Sequence, residues 1–341
     1  MSGDDNHREA IDRFGWLEPF DPHPLWPGGF LQTVSVKTLR PDLDVDTHPA
    51  AVGFDVVGDG TPPDVLSGYH FPTLEETDRP LVVVLHGMGG HARSGYMRSM
   101  AATLLGAGYP VVLWNNRGAG GSGRHCRKYH HPGYTEDLRL LVDHLRRERP
   151  LWCRGGLAAV AFSLGANLLL KYLGESGDRS AFRAAASVSA PIDMEVVSRN
   201  LRHGKNQLFD RYLLKKQRDE LLRDGVDLDD DERERIRTAS SVWALDDTFT
   251  GPTLGYDGAA AYYADNSAAS VIEDIRTPTL IFHAADDPVV DPSVLTDRDW
   301  PDGGPLYPAL TDSGGHTGYL HRDGTRWHET ATRNFFDAVI D

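Results

Sequence analysis

Val160-Ala161-Phe162-Ser163-Leu164-Gly165-Ala166-Asn167 places a serine between two small residues, where an apolar run meets a predicted helix. The segment before it, residues 156–160, is typical of a short buried strand. A serine at such a strand-to-helix turn is held in a strained backbone that exposes its hydroxyl. Ala161 and Gly165 are small enough for strand and helix to approach closely, although the usual pattern has glycine where Ala161 stands. An ordinary helix start also contains Ser-Leu-Gly, so the interpretation depends on three further segments.

The second segment is Leu81-Val82-Val83-Val84-Leu85-His86-Gly87-Met88-Gly89-Gly90. Its five apolar residues predict a strand buried on both faces, as in a parallel sheet, and its glycines predict a tight turn. In serine hydrolases with this arrangement, the turn and the residue after the nucleophile each donate a backbone N–H to the oxyanion hole. Met88 and Leu164 are the corresponding residues here. The alternative is a glycine-rich turn without a catalytic role.

The third and fourth segments supply an acid and a base. In Pro278–Val290 an apolar strand ends at two adjacent aspartates, and we expect Asp287 to orient a histidine, with Asp286 as the alternative. In Tyr307–Gly318 a short strand leads into a Gly-Gly turn that presents His316.

The chain order Ser163, Asp287, His316 is the order of nucleophile, acid and base in α/β-hydrolases. Four strand-end segments in the correct order make a chance match improbable. The sequence therefore predicts the α/β-hydrolase fold, with a mostly parallel central sheet flanked by helices and a helical cap inserted after the sixth strand.

Most of the 15 histidines are expected to have no catalytic role. His86 and His283 end predicted strands and are expected to form hydrogen bonds near the site. His321 and His328 lie on the predicted terminal helix and its approach, and are expected on the surface.

The composition is that of an ordinary globular protein, with 40% hydrophobic and 25% charged residues among 341. A net charge of −15 disfavours nucleic-acid binding and provides no polybasic membrane anchor. Two cysteines cannot form a disulfide framework, which indicates a reducing compartment. No signal peptide and no apolar run of membrane-spanning length is evident. We therefore expect a soluble cytoplasmic protein without stable membrane insertion; its oligomeric state is open.

The chain divides into an N-terminal arm, a core in two parts and a cap. The predicted ranges are residues 1–45 for an extended arm packed on the core, 46–194 and 271–341 for the α/β core, and 195–270 for the helical cap. Strands alternate with helices in the core, and residues 134–149 have clear helical spacing of leucines. Between about 195 and 270 the strand pattern gives way to charged helical stretches. These could equally be a solvated excursion without a role in gating.

Several blocks resemble the YheT-like α/β-hydrolases, whose relatives include plant embryogenesis-associated proteins and animal membrane-associated esterases and lipases. The blocks are residues 29–34 in the arm, 116–118 and 129–137 in the core, and 211–214, 245–250 and 262–267 in the cap. The resemblance implies that Ser163, Asp287 and His316 form the family's triad. Ala161 and Phe30 depart from the family pattern, which has glycine and histidine there. Because no N-terminal membrane anchor is evident, the membrane-lipid activities of animal relatives are not expected here.

These observations predict a serine hydrolase that cleaves carboxylic esters through an acyl-enzyme intermediate, without metal or organic cofactor. The expected substrate is a small-molecule ester or a lipid-like one, with a short to medium acyl chain. The alternatives are a lipase or phospholipase-type acyl hydrolase and a non-catalytic ligand sensor on the same fold. Sensors of this kind often lose a triad member, whereas this chain keeps all three.

Two other site types are weaker. Gly118–Gly123 fits the Gly-x-Gly-x-x-Gly dinucleotide fingerprint, but that fingerprint needs a helix that opens within the glycines. Here Arg124–Pro132 intervenes before the next helix. A metal site could be assembled from His125, Cys126, His130 and His131, although their spacing alone is a weak signal.

Overall fold

A single sheet of eight strands forms the centre of the computed structural model, which describes residues 15, 17–38, 41, 43–300 and 303–340. The strands are β1 (Val52–Gly60), β2 (Pro63–Phe71), β3 (Leu81–Leu85), β4 (Val111–Trp114), β5 (Leu157–Phe162), β6 (Phe182–Val188), β7 (Thr279–Ala284) and β8 (Leu306–Thr311). Their order in the sheet is β1-β2-β4-β3-β5-β6-β7-β8. Strands β1 and β2 pair antiparallel with each other, β2 pairs antiparallel with β4, and the remaining pairs are parallel.

Helices cover both faces of this sheet. The α-helices are α1 (Gly28–Ser35), α2 (Gly95–Gly106), α3 (Glu136–Glu148), α4 (Leu164–Ser176), α5 (Met194–Leu201), α6 (Gln207–Leu221), α7 (Asp230–Thr238), α8 (Val242–Leu245), α9 (Gly251–Thr253), α10 (Gly258–Asn266), α11 (Ser293–Thr296) and α12 (Trp327–Val339). A π-helical turn, Asp246–Thr250, joins α8 to α9. The short 3-10 turns are Val36–Thr38, Gly120–Arg124, Gly177–Arg179, Gly204–Asn206, Ala268–Ser270 and Ile272–Asp274. The predicted fold class is confirmed.

The central strands are buried on both faces, which explains their unbroken apolar runs. Along β3 and β5, alternate side chains contribute to two hydrophobic clusters. Val83 and Ala159 face α3 and α4 on one side, while Val82 and Ala158 face α2 and α12 on the other. Leu85 pairs with Ala161 at the carboxyl ends of these strands, so the turns that follow β3 and β5 lie side by side.

Between β6 and β7 the chain forms helices α5 to α10, here called the helical insertion (residues 194–266). Its helices bury a small cluster of their own, made of Leu214, Leu221, Ile236, Ala239, Val242, Leu245 and Phe249. The capping box of α7 pairs Asp229 with Glu232, which explains how this highly charged helix begins. The insertion thus has its own small apolar core and a charged outer surface.

The arm differs from the predicted extended conformation. It forms the two-turn helix α1 over Gly28–Ser35, directly after Pro27. Proline is tolerated at a helix start because the N–H group that it lacks would have no acceptor within the helix there. Buried Gln32 and Ser35 supply hydrogen bonds to the core that sequence periodicity does not reveal. Residues 1–14, which the prediction included in the arm, lie outside the described residues.

One predicted histidine environment also differs. His328, expected on the surface, is buried in an aromatic cluster with Phe162, Phe282 and Tyr319. It lies in the first turn of α12, on the face that this helix buries along its whole length against the core. His283, expected to form hydrogen bonds near the site, is buried in β7 beside the Asp287 carboxyl group and the Val290 backbone.

A buried glutamate gives the fold a testable pH dependence. Glu329 of α12 is buried against α2, where the Thr103 hydroxyl donates a hydrogen bond to its carboxyl at 2.9 Å. Burial raises the pKa of Glu329 to about 7. Since this pKa is raised in the folded state, the associated stability is complete below the unfolded pKa near 4.5 and is lost as the pH rises through about 7.

We predict that Glu329→Gln is more stable than the wild type at pH 8, by up to about 3 kcal/mol, and gains nothing at pH 4.5. Urea unfolding at the two pH values measures this difference. Glu234→Gln, on the exposed surface of α7, is the matched control and should change little at either pH. An equal effect of Glu329→Gln at both pH values would contradict the assignment.

Candidate active site

The structure brings together the three residues that the sequence predicts as a triad. His316 Nε2 lies 2.8 Å from Ser163 Oγ, and His316 Nδ1 lies 2.9 Å from Asp287 Oδ2. A carboxylate accepts hydrogen bonds, so the proton is assigned to Nδ1, which donates it to Asp287. Nε2 is then free to accept the Ser163 hydroxyl proton. The three groups form one continuous hydrogen-bonded chain.

Ser163 lies at the turn between β5 and α4 with φ 50° and ψ −122°, a backbone conformation that residues other than glycine rarely adopt. The turn is tight because the turn after β3 presses against it. A Cβ on Gly165 would lie 2.3 Å from the His86 carbonyl oxygen, and one on Gly87 would lie 2.9 Å from the Ser163 Cβ. Both glycines are therefore required by close approach, and the Ser163 hydroxyl is directed out of the sheet.

Asp287 follows β7, and its two oxygens have separate roles. Oδ1 accepts the N–H groups of Val289 and Val290 at 2.8 and 3.0 Å, which leaves Oδ2 for His316. Burial acts to raise the pKa of Asp287, but the neighbouring His316 and these hydrogen bonds outweigh it and hold the pKa below its usual value. Asp286 has another partner: its Oδ1 accepts the Gly315 N–H at 2.8 Å.

The loop after β8, which carries His316, has an unusual backbone conformation. Gly314 and Gly315 have φ values of 146° and 60°, and Thr317 also has a positive φ of 60°. Two side chains from other elements accept amide protons of this loop. The His316 N–H donates to Thr33 Oγ1 at 2.8 Å, and the Thr317 N–H donates to Ser189 Oγ at 3.1 Å.

The two predicted oxyanion donors line the same cavity as Ser163. Leu164 is the first residue of α4, where N–H groups have no acceptor within the helix and the helix dipole favours negative charge. Met88 follows Gly87 in a turn closed by the Gly90 N–H and the Gly87 carbonyl at 3.0 Å. Gly89 takes the positive φ, 66°, that this turn requires at its third position.

The turn that carries Met88 has two supports, one expected and one missed by sequence reasoning. His86 Nε2 accepts the Asn116 N–H at 3.1 Å, so Nδ1 carries the proton and donates it to the Gly87 carbonyl at 2.8 Å. Burial lowers the pKa of His86 to about 4, which keeps the ring neutral. The Tyr96 hydroxyl accepts the Gly87 N–H at 3.2 Å. Nothing in the sequence distinguished Tyr96 from other residues at a helix start.

A cavity that is partly open to solvent contains Ser163, Met88 and Leu164. The helical insertion contributes about half of its apolar lining, namely Met194, Val197, Leu201, Leu213, Leu221 and Val242. Two carboxyl groups also face it. Burial raises the pKa of Glu220 to about 7 and that of Asp246 to about 6. The cavity therefore suits an uncharged, largely apolar ligand.

The weaker alternatives find no support in the geometry. A five-residue 3-10 turn, Gly120–Arg124, begins inside the glycine segment. The next α-helix begins only at Glu136, so no α-helix N-terminus meets the glycines. Among the described residues there is no group of three or more His, Cys, Asp or Glu side chains placed to hold a metal ion. His130 lines the active-site cavity, whereas Cys126 is buried in the core.

Comparison with known proteins assigns the family. Residues 80–321 match the family described as alpha/beta hydrolase fold. The chain belongs to this family. In the part of the chain that the structure describes, no helix has the length and apolar character needed to cross a membrane.

Three relatives are similar in sequence. Medium-chain fatty acid ethyl ester synthase/esterase 2 of Saccharomyces cerevisiae is 31% identical over 291 residues, which cover 77% of this chain and 63% of that protein. Monoacylglycerol lipase of the same yeast is 30% identical over 288 residues, which cover 79% and 62%. The YheT protein of Escherichia coli is 31% identical over 262 residues, 73% of each chain. The resemblance to YheT-like α/β-hydrolases is confirmed.

The chain spans about three fifths of the length of the two yeast relatives. Their names agree with the predicted class of enzyme, a carboxylic ester hydrolase. Among solved structures, the Pyrococcus furiosus esterase Pf2001 has a TM-score of 0.58 at 16% identity, covering 89% of this chain and 100% of that one. The 2,6-dihydroxy-pseudo-oxynicotine hydrolase has a TM-score of 0.57 at 18% identity, covering 91% and 72%. At these identities the structural likeness shows the fold alone.

The close approach at Gly165 gives a direct test of the site geometry. We predict that Gly165→Ala destabilises the protein by about 3 kcal/mol, because the new Cβ collides with the His86 carbonyl. The same collision displaces Ser163 and should lower kcat/KM on an ester by about 100-fold. Thermal unfolding and steady-state kinetics measure the two effects.

Gly106→Ala is the matched control, because a Cβ on Gly106 meets nothing within 4 Å at the end of α2. It should leave activity unchanged. Wild-type stability and activity in Gly165→Ala would contradict the proposed contact between the two turns.

Proposed function

We propose that this protein is a serine hydrolase that cleaves carboxylic esters through an acyl-enzyme intermediate. The observation that carries the proposal is the hydrogen-bonded chain from Ser163 through His316 to Asp287, which opens into an apolar cavity. In this mechanism Ser163 is the nucleophile, His316 is the general base, and Asp287 is the acid that fixes the orientation of the imidazole. The relatives named as esterase and lipase support the same class of reaction.

In the first half-reaction, His316 Nε2 takes the Ser163 proton while Oγ attacks the ester carbonyl carbon. The carbonyl oxygen becomes an oxyanion, which the Met88 and Leu164 N–H groups stabilise. The tetrahedral intermediate then collapses, and His316 gives its proton to the departing alcohol. Asp287 stays ionised throughout and stabilises the imidazolium that forms transiently.

In the second half-reaction a water molecule takes the position of the alcohol. His316 removes one of its protons as the oxygen attacks the acyl carbon, and the same two amides hold the second oxyanion. Collapse releases the carboxylic acid and returns the proton to Ser163. Every bond and proton is balanced by these residues and water, so the mechanism requires no metal or organic cofactor.

The cavity favours short- to medium-chain acyl esters of an uncharged alcohol. About half of its apolar wall comes from the helical insertion, which we propose acts as a cap over Ser163. Glu220 and Asp246 would repel the phosphate of a phospholipid head group once they ionise. The cavity therefore supports a carboxylesterase better than a phospholipase, and the intact triad supports an enzyme better than a ligand sensor.

The proposal is tested by hydrolysis of p-nitrophenyl esters from acetyl to long acyl chains. We expect the wild type to prefer a window of short to medium chains and Ser163→Ala to lose at least about four orders of magnitude in kcat. If the folded wild type hydrolyses neither esters nor lipids, the proposed enzymatic function is overturned and the ligand-sensor alternative is favoured.

A matched pair of variants tests the assignment of the acid. Asp287→Asn should lower kcat by about 10⁴-fold, because an amide no longer fixes the productive tautomer of His316. Asp286→Asn keeps an acceptor oxygen for the Gly315 N–H and should have a far smaller effect. The reverse ranking would make Asp286 the acid.

A further inference from the structure

Helix α1 lies outside residues 80–321, the part of the chain that matches the alpha/beta hydrolase fold family, and yet contacts the loops of both the acid and the base. We propose that α1 completes the active site and that Thr33 is a positioning residue for His316. This inference rests on the proposed function, in which His316 is the general base. It concerns the backbone of the loop that carries His316, because Thr33 does not touch the imidazole.

The Thr33 hydroxyl uses both of its hydrogen-bonding capacities in this contact. It donates its single proton to the Gly29 carbonyl, one helical turn earlier, at 2.7 Å. Its oxygen is thereby oriented to accept the His316 N–H at 2.8 Å. Because its proton is committed within α1, Thr33 Oγ1 can face the loop only as an acceptor. The side chain thus fixes the backbone at the residue that carries the base.

The N-terminal turn of α1 also fits tightly against both loops. A Cβ added to Gly315 would lie 2.3 Å from the Gly29 carbonyl oxygen and 2.7 Å from Thr33 Oγ1. A Cβ added to Gly29 would lie 1.7 Å from the Asp286 carbonyl oxygen. The two glycines therefore let α1 contact the acid turn and the base loop at the same time, at backbone distance.

A second residue of α1 holds the other end of the base loop. Buried Gln32 accepts the Leu320 N–H at 2.7 Å, and its amide donates to the Leu320 carbonyl at 3.2 Å. Arg326 then joins the end of α1 to the loop by donating to the Ser35 carbonyl and to the Gly318 carbonyl. Loop residues 316–320 are therefore bracketed by α1 at both ends.

These contacts with α1 oppose the backbone strain of the loop. Thr317 and Tyr319 have positive φ values of 60° and 44°, which are energetically costly for residues other than glycine. Such strain persists only where surrounding contacts determine the conformation. Helix α1 supplies those contacts, so the imidazole is held in line with Ser163 by a segment about 280 residues away in sequence.

The test is Thr33→Val, which keeps the shape of the side chain and removes the acceptor for the His316 N–H. We expect kcat on the preferred p-nitrophenyl ester to fall by about 10- to 100-fold with KM little changed, since geometry at the base is altered but the cavity is not. The rate at which a fluorophosphonate labels Ser163 should fall in parallel. Thr33→Ser keeps the hydroxyl and should recover most of both rates.

Thr38→Val is the matched control. Thr38 follows the same helix and donates to the Ser35 carbonyl, but it is exposed and does not contact the base loop. It should leave kcat and labelling at the wild-type level. The thermal midpoint of Thr33→Val should fall by no more than about 4 °C, which separates a positioning role from general stability.

The labelling rate separates failure of this inference from failure of the proposed function. A wild type that hydrolyses no ester but labels at Ser163 would refute the esterase assignment and leave the Thr33 comparison intact. The inference is overturned by wild-type kcat and labelling in Thr33→Val, or by a Thr33→Ser variant as impaired as Thr33→Val. If Thr33→Val does not fold, Thr33→Ala serves in its place, and failure of both to fold also overturns it.

Discussion

The contact on which the rest of the site depends is the backbone approach between the turns after β3 and β5. Parallel pairing of Leu85 with Ala161 ends both strands at the same level of the sheet. The His86 carbonyl oxygen then lies only 2.3 Å from the position that a Cβ on Gly165 would take. This approach fixes the strained turn at Ser163 and sets the Met88 and Leu164 amides beside it. The proposed nucleophile and the proposed oxyanion hole thus follow from one local constraint of the sheet.

The proposed acid and base depend on a second constraint of a different kind. Strands β7 and β8 are neighbours, which brings Asp287 and His316 to the same edge as Ser163. Their loops, however, include positive φ values and are not fixed by the sheet alone. Helix α1 contacts both loops. The strand order therefore determines which residues meet, while the arm determines how well His316 is held.

Much of the fold and the site could be predicted because the relevant signals are local. An unbroken apolar run followed by Gly or Asp marks the end of a parallel strand, and the order of the three triad residues along the chain is itself informative. The sequence alone left Asp286 and Asp287 open. The structure gives Asp287 the contact with His316 and Asp286 the contact with the Gly315 N–H.

The features that escaped prediction depend on contacts distant in sequence. Helix α1 is joined to the core by two hydrogen bonds between Gln32 and Leu320, which lie 288 positions apart. The proline-rich sequence before it gave no helical signal. Tyr96 acquires its role only because α2 begins beside Gly87. His328 is polar by residue type but lies on the face of α12 that packs against the sheet.

Covalent labelling tests the central claim most directly. A fluorophosphonate reacts with a serine that a neighbouring base activates, whatever the natural substrate, and peptide mass spectrometry locates the adduct. The account predicts one adduct per chain, on the peptide containing Ser163, and no adduct in His316→Ala. Labelling at another serine, or none in the folded wild type, would contradict the assignment of Ser163 as an activated nucleophile.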